Sequence, residues 1–121
     1  MIILDYKDRR PIYEQVTEKF KHLILSGVLK EGDNMPSVRS LASSLSINPN
    51  TIQRAYAKLE QDGWIYTVSG KGSFVSGTDS ILQEQQNEWY KKFKDLLAEG
   101  SLLGISPEQM CEYIKKEAAN D

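Results

Sequence analysis

The segment Asn48-Pro49-Asn50-Thr51-Ile52-Gln53-Arg54 gathers side chains that can read hydrogen-bond patterns. Asparagine and glutamine amides can pair with adenine edges, arginine with guanine edges, and threonine can touch a phosphate or a thymine methyl. Arg39 could meet a phosphate or a base edge, and Gly70-Lys71-Gly72 could place a lysine and bare backbone near a groove. Each has a plainer reading. The polar run could be a solvated face, Arg39 could pair with a nearby acid, and the glycines could form an ordinary β-turn. Nothing comparable supports catalysis. One cysteine, Cys111, and one histidine, His22, cannot build a zinc site or a disulfide. No carboxylate pair, nucleophile–base set or phosphate-cradling GxxxxGK motif is present. An enzyme is not expected, nor any cofactor or metal.

The elements that would position these residues are legible from periodicity. A first helix is predicted from Pro11, with Ile12, Val16, Phe20, Leu23 and Ile24 at helical spacing and a stop near Gly27. Ser37 is a suitable N-cap for a second, short helix, in which Val38, Leu41, Ala42 and Leu45 form one stripe. Asn48 as N-cap and Pro49 at the first helical position open a third helix. Ile47 and Ile52 stand at the staple positions of that helix. Its stripe is Ile52, Ala55, Tyr56 and Leu59, and Asp62-Gly63 ends it. At about 100° per residue, Asn50, Arg54, Ala57 and Gln61 lie opposite that stripe, flanked by Thr51, Gln53 and Lys58.

A β-hairpin follows, Trp64–Val68 and Ser73–Val75, with Ser69-Gly70-Lys71-Gly72 as its turn. Tyr56, Trp64, Tyr66 and Phe74 are expected in the core. His22 is expected to be partly buried, and Cys111 semi-buried in the tail.

Three helices and a glycine-tipped hairpin give a mainly α fold with a small β-hairpin, in the element order of a winged helix-turn-helix. Only Ser46 and Ile47 separate the second stripe from the third cap, which suits the tight turn of that motif. The predicted division is residues 1–76 as a winged helix-turn-helix domain and 77–121 as a short helical region, split at the small polar run Ser76–Ser80.

The chain has 121 residues, a length that suits one domain with an appendage. Its net charge of −2 does not point to nucleic acid, but the halves differ. Residues 1–76 carry ten basic and eight acidic side chains, whereas 77–121 carry five and nine. A mildly basic front and an acidic tail fit a DNA-facing module joined to something else. Apolar runs are too short to span a bilayer, and a cytoplasmic location without membrane association is expected.

The series Pro11–Val16, Gly27–Asp33, Met35–Ala42, Asn48–Tyr56, Leu59–Ile65 and Gly70–Val75 resembles the DNA-binding domain of GntR-family bacterial transcription regulators. The short helical tail resembles the YtrA-like branch of that family, in which two short helices replace a large effector domain and mediate dimerisation. The resemblance implies a homodimeric repressor reading a palindromic double-stranded operator. It implies DNA contacts at Arg39, at Asn48, Asn50, Thr51, Gln53 and Arg54, and at the wing glycine Gly70. Ser37 and Lys71 complete the candidate DNA-binding set. Many members carry a basic residue at the Pro49 position and an arginine at the Gln53 position. That difference moves the expected base reading away from the family's guanine preference and onto Arg54 and the asparagines.

In the tail, Leu82, Gln85, Trp89, Phe93, Leu96 and Leu97 make one face of a first helix. Gly100 and Gly104 are read as bracketing a turn. Ser106-Pro107-Glu108-Gln109 is a capping box, and Met110, Tyr113 and Ile114 make the apolar face of a second helix. Leu82, Trp89, Phe93, Leu96, Leu97, Met110, Tyr113 and Ile114 are the candidate dimerisation residues, because two such helices cannot bury these surfaces on each other alone. The competing reading is a winged-helix protein-interaction module without DNA contact. An effector is conceivable, but no feature identifies one.

Overall fold

The computed structural model describes residues 2–120. The elements run α1 (Ile12–Leu25), α2 (Val38–Leu45), α3 (Pro49–Gln61), β1 (Ile65–Val68), β2 (Gly72–Val75), α4 (Asp79–Leu102) and α5 (Pro107–Ala119). The chain divides into two compact units between Leu82 and Gln83, so α4 begins in the first and continues through the second.

In the first unit, α1 buries Gln15, Val16, Thr17, Phe20 and Ile24. Two of these are polar, and both are satisfied. The Gln15 amide donates to the Arg10 carbonyl at 3.2 Å and accepts from the Asp5 N–H at 3.1 Å, while Thr17 donates to the Tyr13 carbonyl at 2.7 Å. Gln15 thereby ties down the segment before α1, whose Ile2 joins the core. Periodicity could not have found Ile2, because a four-residue apolar start has no repeat to measure.

The corner between α2 and α3 is built from local chemistry. Ser37 Oγ accepts the Ser40 N–H at 3.0 Å and starts α2. The helix stops at Ser46, which adopts φ 55° and ψ 45° and is the one non-glycine with positive φ among the described residues. The Ile47 N–H donates to the Ala42 carbonyl at 2.9 Å and satisfies one of the last orphan carbonyls of α2. Asn48 Oδ1 then accepts the Asn50 N–H at 2.8 Å, with Pro49 in the first turn of α3. Ile52, Ala55, Tyr56 and Leu59 are buried, as the stripe predicts. Tyr56 packs edge-on against Phe20 of α1, centroids 5.7 Å apart, and its hydroxyl donates to the Pro36 carbonyl at 2.6 Å. Burial pushes the Tyr56 phenol well above its ordinary pKa, so it acts as a neutral donor.

Gly63, at φ 84°, lets the chain leave α3 and drop Trp64 into the core, only 1% exposed. The hairpin pairs Ile65 with Val75, Tyr66 with Phe74, Thr67 with Ser73 and Val68 with Gly72. Residues 32–35 run beside β2. The Gly32 N–H bonds to the Val75 carbonyl, the Met35 N–H to the Ser73 carbonyl and the Val75 N–H to the Asp33 carbonyl, at 2.8–2.9 Å.

Four expectations need correction. Tyr66 is exposed and Phe74 only half-buried. The register sets them side by side, centroids 5.8 Å apart, away from the face that Ile65 and Val75 bury. His22 is exposed, because it lies about 160–240° around α1 from Val16, Phe20 and Ile24. Cys111 is exposed rather than semi-buried, because α5 buries none of its residues. Gly100 lies inside α4, and the turn falls at Leu103–Ile105 with Gly104 at φ 82°.

In the second unit, Met110 of α5 packs directly on Gly100 of α4. A Cβ there would stand 2.8 Å from Met110 Cε. Helix α5 starts with the expected capping box. Ser106 Oγ accepts the Gln109 N–H at 3.1 Å, and Gln109 Oε1 accepts the Ser106 N–H at 2.8 Å.

The backbone at Ser46 predicts opposite effects for two substitutions. Ser46→Gly relieves left-handed strain and should stabilise by about 0.5–1 kcal/mol, whereas branched Ser46→Val should destabilise by about 1–2 kcal/mol. Thermal unfolding followed by circular dichroism checks both signs. Tyr56→Phe leaves the Pro36 carbonyl without its donor and should cost about 1 kcal/mol in denaturant unfolding.

Candidate nucleic-acid interface

Helix α3 presents two chemically opposed faces. One is fully buried through Ile52, Ala55, Tyr56 and Leu59. The other leaves Asn50, Gln53, Arg54, Ala57 and Gln61 exposed, with Thr51 half-buried. Asn50 and Arg54 stand four residues apart, so they share a face one turn from each other. Lys58 on the flank pairs with Asp62 at 3.4 Å.

Two candidates carry a structural duty as well. Asn48 spends its side-chain oxygen on the α3 cap, which leaves its amide N–H groups for an external acceptor. Ser37 spends an oxygen lone pair on the α2 cap and keeps its hydroxyl proton. Arg39 is exposed in the first turn of α2. Among the described residues, neither a hydrogen bond nor an ion pair engages it. The hairpin tip carries Gly70 at φ 77° and exposed Lys71, whose backbone N–H closes the turn on the Val68 carbonyl at 2.9 Å. All nine candidates of the DNA-binding set lie in the first unit.

One feature of the polar face lies beyond the reach of helix periodicity. The Arg54 guanidinium carbon sits 3.8 Å from the centroid of the Tyr13 ring on α1. The two residues are far apart in sequence, and only the packing of α1 against α3 brings them together. Near the same end of α1, Arg10 is bound to Asp8 at 2.8 Å. Its guanidinium, and then its backbone N–H, hold the Asp8 carboxyl below its usual range.

In the second unit, Trp89 packs on Phe93 with centroids 5.1 Å apart and edge-on to Tyr90 at 5.0 Å. An apolar groove of about 640 Å³ is lined by Phe93, Leu96, Leu97, Met110, Tyr113 and Ile114 with Leu103 and Ile105. Leu82 stays outside it: it is exposed, next to Ile81, which is buried in the core of the first unit. Among the described residues no helix is long and apolar enough to cross a membrane.

Comparison with known proteins agrees with this arrangement. The family model described as "Bacterial regulatory proteins, gntR family" matches residues 12–75, from the start of α1 to the end of the hairpin. The HTH-type transcriptional repressor YtrA of Bacillus subtilis (strain 168) is 35% identical over 122 residues, covering 99% of this chain and 94% of that protein. A GntR-family transcriptional regulator from Listeria monocytogenes is 38% identical with a TM-score of 0.74, covering 93% of this chain and 98% of that one. The DNA-binding domain of AraR, solved in complex with operator ORR3, is 28% identical with a TM-score of 0.55. It covers 61% of this chain and 89% of its own. This chain belongs to the GntR family of bacterial regulatory proteins and is a DNA-binding transcription regulator of the YtrA-like branch.

Proposed function

We infer that the protein is a cytoplasmic repressor that binds a palindromic operator as a homodimer. The observation that carries this reading is the division of α3, buried along one side and exposed and polar along the other over its first two turns. A helix so divided can enter the major groove without disturbing its own core. Asn50, Thr51, Gln53 and Arg54 would meet base edges or phosphates. Asn48 would contribute its amide N–H groups, and Ser37 and Arg39 would hold the backbone from the start of α2. Gly70 and Lys71 would reach the duplex from the wing.

The homodimer rests on the tail. Among residues 83–120 only Gly100 is buried. Trp89 is 55% exposed, Leu96 64% and Tyr113 65%. Apolar surface of this extent is uncommon on a monomer and marks an association site. A second copy would cover it and would link two recognition helices at half-sites about 34–36 Å apart, or a multiple of that spacing. The similarity to a protein named a transcriptional repressor supports repression over activation.

Two outcomes follow. Arg39→Ala and Asn50→Ala should each weaken operator binding by about 1–3 kcal/mol, with the Arg39 variant also losing about one unit of salt slope if its contact is a phosphate. Fluorescence anisotropy across a salt series reads both quantities. Full affinity in both variants would leave the protein-interaction reading standing. The double variant Trp89→Ala/Phe93→Ala should run as a monomer in light scattering and lose tight operator binding, since each truncation removes a large aromatic contact. A dimer that survives it would place the interface elsewhere.

A further inference from the structure

We propose that Tyr13, on α1 and outside the recognition helix, is a positioning residue for DNA binding that acts through Arg54. The inference rests on the reading above, in which Arg54 contacts the operator, and names what holds that side chain ready.

Three observations carry it. The Arg54 guanidinium carbon lies 3.8 Å from the Tyr13 ring centroid, close enough for direct stacking. Tyr13 is itself anchored: it is half-buried and packs against the core. Its hydroxyl donates to Glu14 Oε1 at 3.4 Å, a contact made at the rim of the ring that leaves the face to Arg54. Finally, Arg54 remains exposed, and among the described residues no hydrogen bond or ion pair uses its N–H donors. A guanidinium stacked at that separation keeps its N–H edge open.

A guanidinium donates in its own plane and stacks perpendicular to it, so the two interactions do not compete. A free arginine loses rotamer entropy when it is fixed. A stack formed before DNA arrives removes part of that cost from the binding step. The edge could meet guanine O6 and N7 or a phosphate oxygen. Both are oxygen- or nitrogen-acceptor sites of the same duplex, and measurement separates them.

The test uses the full chain and an operator duplex selected from random DNA, with an unrelated duplex of equal length as control. Arg54→Ala is expected to weaken operator binding about tenfold, and Tyr13→Leu about fivefold. Tyr13→Phe should bind as the unsubstituted protein does, because the ring is kept. Tyr13→Leu added to Arg54→Ala should cost nothing further, since the residue that Tyr13 positions is already gone. Loss confined to the operator assigns the edge to guanine, and equal loss on both duplexes assigns it to phosphate. Thermal unfolding of each variant guards against misfolding, and Tyr13→Met, a flexible chain of similar reach, replaces the leucine variant if that one does not fold.

Full affinity in Tyr13→Leu beside a weakened Arg54→Ala overturns the positioning role and leaves the DNA reading of Arg54 intact. Full affinity in Arg54→Ala removes both. A Tyr13→Leu loss that persists undiminished in the Arg54→Ala background makes Tyr13 a fold residue only and also overturns the proposal.

Discussion

The first unit depends on one tight constraint: α2 must end and α3 must begin within three residues, with the chain redirected between them. Ser46 accomplishes this in a left-handed conformation that costs a non-glycine residue about 1–2 kcal/mol. The strain is offset locally by the Ile47 N–H on the Ala42 carbonyl and by the Asn48 cap on α3. Further along α3, the Tyr56 hydroxyl binds the Pro36 carbonyl just ahead of α2. The corner is therefore pinned at both ends, and α3 cannot roll about its axis without breaking that hydrogen bond. Which side of α3 faces outward follows from this.

Fixing the roll matters because the two sides of α3 cannot exchange duties. The buried side fills the core with Ile52, Ala55, Tyr56 and Leu59. The outer side carries amides and a guanidinium, whose burial without partners would cost several kcal/mol each. The assignment is thus self-enforcing. Double use of Asn48 and Ser37 extends the economy: each caps a helix with an oxygen and keeps protons to donate. Family membership and the exposed outer face together account for a DNA-binding regulator whose net charge is slightly negative. The basic excess sits in residues 1–76, and the acidic excess lies in the tail.

The second unit is organised differently. Helix α4 is long, α5 is well capped, and they meet closely where Gly100 admits Met110. Local signals are strong enough to form both helices, yet little apolar area is buried between them. The apolar area left exposed on this pair is the feature on which the proposed homodimer rests.

The local elements were legible in the sequence because their signals are short-ranged. Ser37, Asn48-Pro49 and Ser106-Pro107 mark helix starts through hydrogen bonds spanning two or three residues, and the apolar stripes of α1, α2 and α3 state which face is buried. Asn50 and Arg54 could be put on the outer face by angle alone. What only the tertiary structure decided depends on partners distant along the chain. The hairpin register took Tyr66 out of the core, and the approach of α5 explains Gly100 inside a helix. The packing of α1 on α3 put Tyr13 beneath Arg54. Periodicity measures direction within one element. Contacts between elements depend on how rigid bodies pack, and no spacing along the chain encodes that distance.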